Sequence, residues 1–179
     1  MHLTRVHSGF ATAALVLVAA LATTAFGGVA AGAGRSWRVD LGGVRGVLPG
    51  MTVPEVARRW GVWFSFSRGS APGCKIGGFT RGGVVGGALF QDGKFDAAWF
   101  TRGITTAGGI RIGSRVSDLR RVYGSRLRRV ENLYDRKRPL YYVRGGKANL
   151  FLEFFPKRSG EIASIGFGNG FVLAQEGCN

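Results

Sequence analysis

The chain has 179 residues, with 25 Lys plus Arg against 10 Asp plus Glu, a formal net charge of +15, 31 Gly, two Cys and two His. Hydrophobic residues at 45% and charged residues at 20% are enough to build a core and exclude compositional disorder. The length allows one domain or two very small ones.

The first residues carry Arg5 and no acid, followed by an apolar run from Phe10 to Ala22 and small residues ending in Ala31-Gly32-Ala33. That run is shorter than the about 20 residues a bilayer helix needs, so residues 1–33 read as a secretory signal peptide. Cleavage is expected near Ala33, with Ala25 and Ala30 as alternatives, and the product is expected to be secreted or extracytoplasmic.

Removing the leader removes His2 and His7, and no histidine follows them. Ser-His, Cys-His and His-metal chemistry are thereby excluded from the secreted product. In an oxidising compartment Cys74 and Cys178 read most simply as a disulfide closing a loop of about 100 residues, worth about 2 to 5 kcal/mol if unstrained. A reactive thiol at Cys178 is the alternative. The mature chain keeps 24 basic against 10 acidic residues, or +14. Such a surface attracts polyanions, among them nucleic acid, cell-wall polymers, phospholipid headgroups and acidic protein faces, although scattered charge also serves solubility.

Shifting the sequence by 63 positions aligns GVLPGMTVPEVARRWG, residues 46–61, with GIRIGSRVSDLRRVYG, residues 109–124. Identities fall at Gly46/Gly109, Gly50/Gly113, Val53/Val116, Arg58/Arg121 and Gly61/Gly124. Further on, residues 93–100 parallel residues 160–167 at an offset of 67, so the second half is expected to carry a longer loop. The fold class predicted is α+β: two tandem repeats of a short helix followed by an antiparallel sheet, residues 34–105 and 106–179, packed as one body.

In the first repeat Thr52 and Glu55 form a capping-box pattern, and Val53, Val56, Ala57 and Trp60 share a helical face that stops at Gly61. In the second, Val116, Leu119 and Tyr123 make the stripe, Gly124 the stop, and Ser114 or Ser117 the expected cap. Strands are predicted over 62–67, 84–90, 94–100, 140–143, 148–155 and 161–167, the second and third joined by an Asp92-Gly93 hairpin turn. The glycine run 77–87 lacks the Gly-Lys-Ser/Thr of a phosphate loop and is expected to be a turn or bulged edge.

Gly50-Met51-Thr52, then Val56 and Gly61, resembles the G-M-T-x-x-x-V-x-x-x-x-G signature of BLIP-like and SmpA/OmlA-like secreted domains, and Gly113, Leu119 and Gly124 repeat it degenerately. The resemblance implies the fold of the beta-lactamase inhibitory proteins, which carry two helix-plus-sheet domains in tandem. It implies binding rather than catalysis, without fixing a partner. The chain departs from those proteins in having one cysteine per repeat and no Met-Thr pair in the second copy.

The candidate binding residues are the sheet aromatics Trp99, Tyr141 and Tyr142 and the basic cluster Arg126, Arg128, Arg129, Arg136, Lys137 and Arg138, which Glu131 and Asp135 interrupt. Trp63 and Phe151, Phe154 and Phe155 complete the aromatic set, with Phe151, Glu153 and Phe155 on one strand face and Leu150, Leu152 and Phe154 on the other. Guanidinium groups bind carboxylates and phosphates, and aromatics centre protein interfaces. Glu55 and Asp118 suit helix first turns and Asp92 a turn, so no carboxylate pair stands out for hydrolysis. No catalytic residue, metal or cofactor is expected. The function predicted is non-enzymatic recognition of an extracellular or envelope protein, with electrostatic binding of an anionic polymer as the alternative.

Overall fold

In a computed structural model, which describes residues 37–67, 72–132, 135–145 and 149–169, the chain is a mixed α+β fold dominated by antiparallel strands. The leader and Cys178 lie outside the described residues. The order is β1 (Trp37–Asp40), β2 (Gly43–Val44), α1 (Val53–Trp60), β3 (Ser65–Phe66), β4 (Cys74–Arg81), β5 (Val84–Gln91), β6 (Lys94–Arg102) and β7 (Ile104–Thr106). There follow α2 (Val116–Tyr123), a 3-10 turn (Gly124–Arg126), β8 (Arg128–Val130), β9 (Leu140–Arg144), β10 (Phe151–Pro156) and β11 (Ile162–Gly168).

Both helices form where the apolar spacing places them. The Glu55 carboxylate accepts from the Thr52 amide and hydroxyl, both at 2.7 Å, and Gly61 takes the left-handed conformation that ends α1. The cap of α2 differs from expectation. Its N-cap is Arg115, whose amide donates to Asp118 at 2.9 Å, while the Ser114 hydroxyl oxygen accepts instead from the Arg111 amide. An acid at the third helical position does this work in both helices, whatever stands at the cap.

Eight strands form one sheet in the order β3-β4-β5-β6-β11-β10-β9-β8, and β2-β1-β7 form a small second sheet. Strands β6 and β11 pair antiparallel at the centre, Trp99 opposite Gly166. Each helix lead-in is tied to a strand start in the same way. Gly50 N donates to Phe95 O and Phe95 N to Met51 O; Gly113 N donates to Ile162 O and Ile162 N to Ser114 O. Gly50 and Gly113 both have positive φ, 92° and 88°, which lets the chain turn into these ties without the strain a side chain would add.

The helices and the small sheet cover one face of the large sheet. Val56, Trp60 and Leu119 pack there with Phe79, Phe90, Phe95, Phe100, Phe154 and Phe167. Leu152 and Phe154 join this core while Glu153 faces the other way, the alternation expected for β10. The glycine run holds the expected turn and a register shift between Val85 and Gly86, but most of it is strand. Residues 77–81 lie in β4 and 84–87 in β5, joined by a turn at Gly82-Gly83, because glycines there make room for neighbouring rings. Strand β3 is shorter than residues 62–67, and β10 begins at Phe151 rather than at 148.

Candidate binding surface

On the face away from the helices a register row crosses the whole sheet: Ser65, Gly78, Gly87, Trp99, Gly166, Glu153, Tyr142 and Arg128. Trp99 and Tyr142, two of the three sheet aromatics singled out above, lie in this row and are half-buried. Tyr142 packs edge-on against Phe151 with ring centroids 5.7 Å apart. Tyr141 is placed otherwise: at 7% exposure it packs into the core on the helix side, opposite Phe154. The outer face is partly closed: Leu89 and Ala97 are buried beside Cys74, and Glu153 is buried further along the sheet in β10. It is therefore not a bare aromatic platform.

The basic cluster is partly neutralised by its own acids. Arg136 pairs with Glu131 at 3.0 Å, and Arg138 with Asp135 at 2.7 Å, which Arg158 also approaches. Arg128 donates to the Ser125 carbonyl, and Arg126 lines a largely apolar cleft of about 440 Å³ with Val122, Tyr123 and Leu152. Arg129 and Lys137 are exposed. The cluster is a set of surface ion pairs around a loop rather than one continuous cationic patch.

Two features beside the end of α1 are placed differently from, or lie beyond, the sequence-based expectations. The first is Trp63, 94% exposed, at the mouth of an apolar groove of about 410 Å³ formed by Pro54, Ala57 and Val62 and rimmed by Arg58. Trp63 was grouped with strand aromatics; it stands instead in the connection between α1 and β3, where neither sheet face can cover it. The second is a cleft of about 310 Å³ over Trp37 and Trp60, lined by Arg45, Arg58, Arg59 and Arg81. The two share Arg58 and Gly61.

Several of the described carboxylates are engaged in structural roles. Asp40 accepts from the Gly42 amide, Asp118 pairs with Arg121, Glu161 with Lys157, and Asp96 accepts from Asn169. Hydrogen bonds from Thr52 hold the Glu55 carboxyl below the ordinary value, with Lys94 and Arg58 adding to the effect. Among the described residues no group of three or more metal-ligating side chains occurs, and no helix is long and apolar enough to cross a membrane.

No family model matches the sequence, and no curated protein matches it. Similar solved structures include a cysteine-rich secretory protein from Staphylococcus aureus subsp. aureus Mu50, at 11% identity and a TM-score of 0.48 over 75% of this chain and 49% of that one. Another is an extracellular protein containing a SCP domain from Bacillus anthracis str. Ames, at 10% identity and a TM-score of 0.45 over 71% of this chain and 46% of that one. The chain spans about half the length of these structures.

Proposed function

We propose that the chain is a secreted, non-enzymatic binding protein made of two copies of one helix-plus-sheet unit, and that it recognises an extracellular or envelope protein bearing an acidic face. The observation that carries this reading is Trp63. A tryptophan left 94% exposed beside an apolar groove costs solvation in the isolated chain and is the side chain most enriched at the energetic centre of protein interfaces. The occupant of the groove is an apolar side chain of the partner. Arg58 on its rim and the mature net charge of +14 favour acidic residues around that anchor.

The two-copy reading is supported by the matched ties Gly50 to Phe95 and Gly113 to Ile162, which fall at the sequence offsets of 63 and 67. The strand order reads as one four-strand set followed by its reverse. The leader pattern and the pairing of Cys74 with Cys178 belong to the same proposal.

The test is capture from the native culture fluid and envelope on the immobilised chain and on Trp63→Ala, each washed at low and high salt. A protein held by the native chain at both salts and lost from Trp63→Ala supports the reading. Retention indifferent to Trp63 and abolished by salt overturns it in favour of electrostatic binding to an anionic polymer.

A further inference from the structure

The cleft over Trp37 and Trp60 collects four arginines from three separate parts of the chain. Arg58 and Arg59 come from the last turn of α1, Arg45 from the turn after β2, and Arg81 from the end of β4. The Arg45 guanidinium sits 5.3 Å from the Trp37 ring centroid, and Arg59 donates to the Gly46 carbonyl at 2.8 Å. The Arg81 guanidinium lies against Gly61, where a β carbon would stand 3.5 Å from Cζ. No acid is among the described residues lining the cleft, and none of the four arginines is in an ion pair among the described residues.

Helix capping does not account for this gathering. Arg58 and Arg59 complement the carboxyl end of α1, but that end supplies only about half an elementary charge against four. Arg45 and Arg81 are not on the helix. Arg45 moreover holds φ at 51°, a left-handed conformation that glycine adopts without strain, and shares this trait among the described non-glycine residues only with Asp92 of the hairpin turn. The chain thus keeps a long cationic side chain where its backbone favours glycine. Sixty-three positions on, Gly108 stands for Arg45, Val122 for Arg59 and Tyr123 for Trp60, and there a largely apolar cleft results. Arg58 recurs as Arg121, but the second copy does without Arg45 and Arg59.

We propose that the cleft is an oxyanion site that takes a phosphate group. Four guanidinium groups with no ion-pair partner among the described residues suit a group carrying about two negative charges better than a single carboxylate, and planar forked donors match its oxygens. The volume, at the lower end of ligand cavities, fits one such group on a larger molecule. The site is separable from the Trp63 groove because its probe is a small anion and its variants leave Trp63 in place.

The experiment titrates the purified chain with inorganic phosphate, followed by phosphorus NMR and by tryptophan fluorescence, since Trp37 and Trp60 form the floor. Arg45→Gln/Arg81→Gln is compared with Arg111→Gln/Arg120→Gln, which removes the same charge outside the cleft. Arg59 is left intact because it braces Gly46, and far-UV circular dichroism with thermal unfolding checks that each variant is folded. The expected result is saturable binding weakened about tenfold to hundredfold in the first variant and changed less than about twofold in the second. Equal weakening in both, or no saturable binding, overturns the proposal. Vesicles of phosphatidic acid, a phosphomonoester headgroup, in phosphatidylcholine then identify the source. Displacement by inorganic phosphate from vesicles bound through the cleft assigns a lipid headgroup, and phosphate binding without vesicle binding assigns a soluble or polymeric phosphate. Vesicle adsorption without saturable phosphate binding overturns the site.

Discussion

The Trp99 indole occupies the space over Gly87: a β carbon at Gly87 would come within 2.2 Å of Cζ2 and 2.6 Å of Cε2. Across the central strand pair the same relation recurs with Gly166, whose β carbon would meet Glu153 Oε2 at 2.9 Å. Glycines on the outer face make room for large neighbours one strand away. Gly87→Ala is therefore expected to displace the indole and destabilise the chain by about 1 to 3 kcal/mol. Urea unfolding together with the Trp99 contribution to near-UV circular dichroism checks this.

Trp60 is fully buried, and its Nε1 donates to the Val44 carbonyl at 2.9 Å, joining α1 to the small sheet. Trp60→Phe keeps most of the ring packing against Phe79 and Phe95 but leaves that carbonyl without its donor. The expected loss is about 1 to 3 kcal/mol by chemical denaturation, with the secondary structure retained.

Burial holds the Asp96 carboxyl above its ordinary value of 3.8, and the Asn169 hydrogen bond opposes this only in part. A raised folded-state value means that ionisation costs the folded state more than the unfolded one. The penalty is absent below 3.8, grows as pH rises through the folded value and is complete above it. Asp96→Asn keeps the acceptor for Asn169 and removes the charge. Its Tm is expected to exceed that of the native chain at neutral pH and to converge with it in acid, by calorimetry across pH.

Glu55 runs the opposite way. Its folded value lies below the ordinary 4.5 because the Thr52 amide and hydroxyl donate to the carboxylate. Its contribution is complete above 4.5 and is lost as pH falls through the folded value. Glu55→Gln is expected to flatten the acid limb of the stability profile while leaving the Asp118 cap of α2 unchanged, which helical amide exchange resolves.

Trp63 makes the contrasting case. At 94% exposure its removal takes little packing with it, so Trp63→Ala is expected to stay within about 0.5 kcal/mol of the native stability while abolishing partner capture.

Both helices could be read from the sequence because a short amphipathic stripe, an acid three residues past the cap and a terminal glycine are local signals; the helices begin at Val53 and Val116 as the stripes imply. Strand β4 is not legible because its adjacent glycines carry no alternation, and only the rings of Phe64 and Phe66 against Gly77 reveal why that glycine is there. The outer-face aromatics were half legible: alternation separates Phe154 from Glu153, but nothing local places Tyr141 in the core and Tyr142 outside, since β9 has rings on both faces. The arginine cleft was invisible for a different reason. Arg45 and Arg81 are brought together across β3, β4 and α1, a distance no periodicity reports.

The large sheet closes its two halves at β6 and β11 and ends on β3, two residues long, and β8, three residues long. Long strands thus sit inside, and the outermost rows offer few unpaired backbone groups to another chain. A chain crowded among copies of itself would otherwise present sheet rims on which further strands could add. Such stubby ends give incoming strands little to grip, so the broad sheet can remain soluble without being rolled into a barrel.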